Sequence, residues 1–409
     1  MKKILLIAFG LLFSIADFAY DFSAVNSDGV TIYYYYTNNG RDLAVTSGRE
    51  RYKVSSIVIP AEVTYKERTR KVTEIGGFED CVELTSITIP NTVTVISNGA
   101  FSGCTNLRSI DLPNSIKSIR GRAFSYSGLT SVTLPNSLTY LGNNAFEGCN
   151  DLKSVTIPES EIDFGIDVFQ NCRNLTSLTL STKIVPSNAF KNCSSLSSVN
   201  LGNSVEIIDS GAFEGCGNLR SINFPNTLVS IKSSAFKGSG LSSIKIPDSV
   251  EFVGHHSFRY CTNLKSAIFG NSLKEIGVFA FGGCSNLETV SFGSSLEKIR
   301  DAAFKGCTKL KSIILPNSLK IIGEEAFMDC TNLASITFGN SINTITLNAF
   351  KNCVSLTYIE SKMENPCVLP EFCFPTDVFY NITLHVPNGK TETYKKKMYW
   401  DKFTFIEEN

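Results

Sequence analysis

The chain is poor in the residues that most enzymes and metal sites are built from. It has three histidines and one tryptophan in 409 residues. Histidine is the commonest proton carrier and metal ligand near neutral pH, so a histidine-dependent hydrolase or zinc enzyme has little to work with here. His255 and His256 are adjacent with no acidic cluster beside them, and His385 stands alone. Gly-x-Ser-x-Gly, His-Glu-x-x-His, Gly-x-Gly-x-x-Gly and phosphate-binding glycine loops are missing, as are Cys-x-x-Cys zinc pairs. No enzyme, cofactor or metal site is expected. Net charge is also lacking: 38 basic residues balance 38 acidic ones. Such a chain has no global pull toward nucleic acid or an anionic membrane, so any electrostatic preference must be local. Beyond the first twenty residues no apolar run is long enough to cross a bilayer.

What is present begins with an N-terminal leader. Lys2 and Lys3 precede an apolar run from Ile4 to Phe13, and small residues follow at Ser14, Ala16 and Ala19. That is the layout of a secretory signal peptide, residues 1–19, cut after Ala16 or Ala19. The run is short for a membrane anchor, and no cysteine follows it for lipid attachment. A soluble protein outside the cytoplasm is expected. With 43% hydrophobic and 19% charged residues, the rest fits a packed protein rather than a disordered one.

One motif then recurs. A clear copy runs from Leu84 to Cys104, and its phenylalanine reappears at 78, 101, 124, 146, 169, 190, 213, 236, 258, 281, 304, 327 and 350. Most of the intervals are 23 residues and the others 21 or 22. A fixed period of this size marks a stack of like supersecondary units. Within a unit, Leu84, Ile87 and Ile89 have the spacing of a short strand with one buried face. Pro90 and Asn91 turn the chain. Val93, Ile96 and Phe101 point inward again. One coil cannot bury its own apolar face, but stacked coils cover each other. The predicted fold is mainly β: a solenoid of about fourteen coils, some 65 Å long at about 4.8 Å per strand pairing.

The blocks Leu-x-Ser-Ile-x-Ile/Leu-Pro-Asn-Ser, as at 129–137 and 310–318, and Ala-Phe-x-x-Cys-x-x-Leu, as at 100–107 and 326–333, resemble the BspA-like leucine-rich-repeat surface proteins with Treponema-type repeats. The resemblance covers about residues 51–361. It implies a place on the bacterial surface and binding to host proteins. The strand–helix–strand ending of that family also has a counterpart here.

The copies vary. Phe124–Leu129 and Phe236–Leu241 lack the cysteine and one loop residue, and the coil at Ser181–Phe190 is two residues short. The first coil, Val54 to Phe78, carries an insertion around Tyr65–Lys71, expected to project near the N-terminal end. Solenoid ends need caps. Residues 20–50 read as an N-terminal β cap: Val30–Tyr36, an Asn38-Asn39-Gly40 turn, and Asp42–Thr46, with alternate tyrosines packed on the first coil. Residues 362–409 read as a C-terminal cap with a strand at Ile382–Val386, a helix over Thr391–Trp400 and a strand at Phe403–Ile406. Tyr394 and Met398 are expected on one helix face, with Trp400 on the last coil.

Eleven of the thirteen cysteines recur with the period, so stacking lines them up facing inward. Parallel Cβ vectors suit disulfides poorly, and a buried thiol column is expected. Cys367 and Cys373 lie outside the column and could pair in the cap. Two residues after the strand leucine, serine stands in twelve of fourteen coils, which reads as a hydroxyl ladder between coils. One residue after it the chain is basic at Arg108, Lys153, Arg220, Lys265 and Lys311, and Lys245 joins them from four residues after. These six are the candidate partner-binding residues. A mildly basic, ring-poor face fits an acidic extracellular protein, such as a host matrix or plasma protein, better than a glycan. A glycan-binding accessory protein and a structural surface-layer component remain as alternatives. A monomer is expected.

Overall fold

The structure, a computed structural model, describes residues 20–158 and 161–409. The expected signal peptide, residues 1–19, lies outside the described residues. The chain starts with three antiparallel strands, β1 (Phe22–Val25), β2 (Thr31–Thr37) and β3 (Asp42–Thr46). The β2–β3 turn uses Asn38, Asn39 and Gly40, all at positive φ. Tyr34 is buried beneath this sheet, as the alternation of tyrosines requires. β1 was not legible as a strand. It pairs with β2 and places Phe22 flat against Tyr65, ring centroids 4.1 Å apart.

After the first coil strand β4 (Ser56–Val58) come β5 (Glu62–Tyr65) and β6 (Arg68–Ile75). They form an antiparallel hairpin whose turn residues Lys66 and Glu67 are both left-handed. The expected insertion is therefore real, but it does not stand free. β6 pairs with β3, and Arg70 lies over the Tyr36 ring and donates from Nε to the Gly40 carbonyl at 2.8 Å. The insertion joins the cap to the solenoid.

Beyond β6 most coils contribute two strands on two sides of the rod, and those of Leu107 and Leu219 contribute only the second. One side carries the strands anticipated after each leucine, such as Ser154–Thr156, Ser177–Thr179 and Ser198–Asn200, paired in parallel and in register. The other side is built from two-residue strands such as Val95–Ile96, Ser118–Ile119 and Tyr140–Leu141, also parallel. This second sheet was missed in the sequence, where its residues registered only as inward-pointing apolar positions.

The third side is a tight bend holding two left-handed residues per coil, two before and two after the phenylalanine. Glycine, asparagine or aspartate fills most of these places because they tolerate positive φ. The phenylalanines between them stack face to face. From Phe78 to Phe350 neighbouring ring centroids lie 5.0–5.6 Å apart and planes diverge by no more than 14°. The ladder runs past the repeat at both ends. Tyr52 stacks on Phe78 and Phe374 on Phe350. The Tyr52 hydroxyl bonds the Thr46 carbonyl, which ties the ladder to the N-terminal cap. Each ladder phenylalanine also donates its N–H to the next coil, as Phe101 does to Ala123 at 2.7 Å.

The cysteine column is buried and its thiols are free. From Cys104 onward each Sγ sits 3.0–3.3 Å from the carbonyl of the preceding coil's ladder phenylalanine, as with Cys104 on Phe78 and Cys353 on Phe327. Ser127 and Ser239 occupy the column where the cysteine is missing and bond to Cys149 and Cys261. Burial pushes the thiols of Cys104, Cys193 and Cys353 up to about 12, so they remain protonated donors rather than nucleophiles. Cys367 is half-buried and Cys373 buried, and both are free thiols.

At the C-terminal end Thr383–Val386 and Phe405–Glu408 extend the first sheet in parallel after Tyr358–Ser361. The last strand lies two residues later than the spacing suggested. The helix covers only Thr391–Lys395, and a separate 3-10 turn follows at Trp400–Lys402. Tyr394 and Met398 therefore do not share a face: Tyr394 is buried and Met398 is exposed. Trp400 packs edge-on against Phe338 and donates to the Cys367 carbonyl at 2.7 Å.

Three outcomes test this packing. Phe213→Ala leaves both ladder neighbours facing a void and should lower unfolding free energy by about 3–5 kcal/mol in urea denaturation. Ser257 sits where most coils have a buried alanine, and its hydroxyl is buried without a partner. Ser257→Ala should therefore stabilise the protein by about 1 kcal/mol in the same assay. A thiol-reactive aromatic disulfide added to native protein at pH 8 should modify at most Cys367 quickly, whereas all thirteen cysteines should react in guanidinium. Rapid native modification of several thiols would show that the column is open.

Candidate functional site

The six basic candidates fall on the outer face of the first sheet, but they are not equivalent. Arg108 is ion-paired to Asp151 and Lys311 to Glu288 at 3.3 Å. Among the described residues Lys153, Arg220, Lys245 and Lys265 make no ion pair. Three of them sit on successive coils. The Ser242 N–H bonds the Arg220 carbonyl, and the Lys265 N–H bonds that of Ser242. At the strand spacing, Arg220 and Lys265 project about 10 Å apart. Lys245 lies in register with Ile268, which is exposed. The result is a small basic patch with an apolar contact at its edge.

The serine column is in register, with Ser131, Ser154, Ser177 and Ser198 side by side, but its hydroxyls point outward. Among the described residues they form no side-chain ladder. On this strand the hydroxyl bonds between coils come from the preceding position instead, and, in the turn that follows, from Ser115, Ser137, Ser249 and Ser318. Thr85 bonds the Ser55 carbonyl, Thr130 that of Arg108, Thr176 that of Lys153 and Ser242 that of Arg220. A residue two after the leucine points away from the core, so its hydroxyl cannot reach back along the rod.

The second sheet treats its charges differently. Lys274 pairs with Glu251 at 2.9 Å, Lys298 and Arg300 with Glu275, and Lys320 with Glu297 at 3.1 Å. Arg300 grips Glu275 through two nitrogens, at 2.8 and 3.2 Å. Near the cap, Arg120 and Ser97 both bond Glu74 at 2.7 Å. Charges on this side are largely spent on the next coil.

Two irregular places were not legible. The short coil leaves a recess of about 670 Å³ lined by Ile162, Phe164, Ile166, Thr182 and Ile184. The second sheet ends at Asp163–Phe164 and restarts at Ile184–Val185. Pro186 stands where other coils use a backbone N–H to bond the coil before, as Gly165 does to Leu141, and it has none to give. On the bend, Arg259 lies between aromatic neighbours, its Cζ 4.6 Å from the Tyr260 ring centroid and 4.4 Å from that of Phe279. His256 stacks on Phe279 at 5.5 Å. The available signal was bulky residues where sister coils carry glycine or asparagine. His255, by contrast, accepts the Val278 N–H, and His385 stacks on Tyr358.

A model of the BspA-type leucine-rich repeat region, six copies, matches residues 73–196, 183–311 and 297–399. A search of curated proteins finds no match. Among solved structures, a leucine-rich repeat protein from Bacteroides ovatus is 29% identical over 95% of this chain and 100% of its own, with a TM-score of 0.66. The pneumococcal vaccine antigen PcpA is 24% identical over 95% of this chain and 98% of its own, with a TM-score of 0.52, which speaks to fold alone. No helix among the described residues is long and apolar enough to cross a membrane. With the family model spanning most of the solenoid and the first sheet, bend and cysteine column repeating in every part of it, the chain belongs to the BspA-type leucine-rich-repeat family.

Proposed function

We propose that this protein is an extracellular or surface-held binding module that takes an acidic macromolecular partner, a protein, on its first sheet. The observation that carries the reading is a contrast between two faces of one rod. From Lys232 to Lys320 the cations on the second sheet are matched by carboxylates of adjacent coils, whereas among the described residues Lys117 and Lys183 nearer the N-terminal end are not. Arg220, Lys245 and Lys265 on the first sheet are left uncompensated around exposed Ile268. Uncompensated charge speeds encounter with an opposite surface, and a desolvated aliphatic side chain holds it there. A rigid row of coils presents both without ordering cost. The family relationship fits a binding role rather than a catalytic one, and the N-terminal leader fits export. Host matrix or plasma proteins are the partners to try first.

The test uses the mature chain against immobilised extracellular matrix proteins and a glycan array. Arg220→Glu with Lys265→Glu should weaken protein binding at least tenfold, about 1.4 kcal/mol. Raising the salt from 0.15 to 0.5 M should weaken the unmodified protein in the same direction. Lys274→Glu with Lys298→Glu, on the other sheet, should leave binding intact. Glycan binding indifferent to the first pair would sink the reading in favour of a glycan-binding accessory role. Binding to neither would favour a structural surface component.

A further inference from the structure

The coil around Phe258 breaks the rules of the repeat at four places. The left-handed positions flanking the ladder ring carry His256 and Tyr260, at φ 56 and 60. Phe279 takes the matching position of the next coil at φ 52. Bulky side chains avoid this conformation, which most sister coils give to glycine, asparagine or aspartate, as at Gly211, Asn188 and Asn348, with Arg122, Tyr126 and Glu325 among the exceptions. Ser257 replaces the buried alanine and leaves a hydroxyl unbonded, and the Arg259 Nε is likewise buried without a partner. Strain and unsatisfied polar groups gathered in one coil are what folding alone would remove.

These departures hold one guanidinium in place. Arg259 lies against the rings of Tyr260 and Phe279. Its Nη2 donates to the Tyr260 hydroxyl at 2.9 Å, and its Nη1 is 3.4 Å from His256 Nδ1. The Tyr260 ring lies where a side chain on Gly283 would collide with it, so that glycine, at φ 74, lets the ring sit down on the neighbouring coil. Burial, with the charges of Arg259, His255 and Lys237, holds His256 below its usual range. A neutral imidazole is the form that can accept from Arg259. Among the described residues Arg259 has no ion pair, and nearby Lys237 is already matched by Glu214 at 3.0 Å. Each terminal nitrogen of the guanidinium carries a second N–H beyond these two bonds. The free edge is therefore a planar fork, fixed in direction and lacking a counter-charge.

We propose that Arg259, clamped by Tyr260 and Phe279 on the bend of the solenoid, is a preformed receptor for one carboxylate side chain of a protein partner. A planar fork suits a carboxylate end-on. A protein source is favoured over a sugar acid because the rings turn faces to the guanidinium and imidazole instead of offering them for stacking. Rigid arginine–tyrosine groups are also what protein interfaces concentrate their affinity on. The inference rests on the reading of this chain as a protein-binding module, but it does not depend on the patch at Arg220, Lys245 and Lys265.

The experiment measures fluorescence anisotropy of a dye-labelled triglutamate peptide, and of labelled trigalacturonate, with the full chain. The expected result is saturable peptide binding at least fivefold tighter than trigalacturonate. Arg259→Lys keeps the charge, loses the fork and should weaken the peptide at least fivefold. Phe279→Asn, which suits the left-handed position and removes the ring, should do the same with an unchanged circular dichroism spectrum. Lys274→Glu with Lys298→Glu, on the second sheet, should alter peptide affinity less than twofold, and the loss in Arg259→Lys, with Arg220 and Lys265 intact, separates failure here from failure of the sheet-face reading. Peptide affinity unchanged in Arg259→Lys would overturn the proposal, as would trigalacturonate binding as tightly as the peptide.

Discussion

Each coil of this rod leaves an apolar face exposed on both sides until another coil covers it, and everything else in the structure answers to that. The covering is done by the ring ladder from Tyr52 to Phe374 and by backbone bonds such as Phe101 to Ala123. A ring stacked on a like ring accepts little change in size, so the phenylalanine positions hardly vary while the surface does. The thiol column follows from the same geometry. A small side chain is needed beside each ring, and one that can also bond the carbonyl of the coil below satisfies a buried acceptor. Ser127 and Ser239 show that the place asks for a small donor, not for sulfur chemistry.

Much of this was legible because repetition averages out local ambiguity. One Leu-x-Ser-Ile block says little, whereas the same block at a steady period defines a strand, its buried face and its parallel neighbours. What escaped lacked a pattern of its own. Val95–Ile96 and its counterparts are too short to show alternation, so the second sheet was invisible. Tyr52 and Phe374 continue the ladder from outside the repeat. The serine column was misread because a residue repeated in most coils looked like a bonded one, although its position points it at solvent.

The functional surface was legible in kind but not in detail. Charge along the first sheet could be read from spacing. Its cancellation at Arg108 could not, because Asp151 arrives 43 residues later and is brought close only by stacking. The Arg259 group was hidden for the same reason: Phe279 is twenty residues from its partner in the chain and beside it in the rod. In a molecule whose regular positions are committed to holding coils together, recognition is left to exceptions. The exceptions found here are uncompensated cations and ring-bearing left-handed residues.

The breaks in the two sheets do not coincide. The second sheet is interrupted between Phe164 and Ile184, where the first runs unbroken from Ser154 through Ser177 to Ser198. The first sheet lapses between Ser86–Thr88 and Ser131–Thr133, between Ser198–Asn200 and Ser243–Lys245, and between Thr289–Ser291 and Ser312–Ile314. The second is continuous across all three, through Val95–Ser118–Tyr140, Ile207–Ser230 and Glu275–Lys298–Ile321. The joints are staggered like those of coursed masonry, so no cross-section passes through two open seams at once. A tensile load along the rod then always meets at least one intact hydrogen-bonded course and the ring ladder behind it. An irregular repeat array can in this way collect local defects, each a possible site, without acquiring a plane of cleavage.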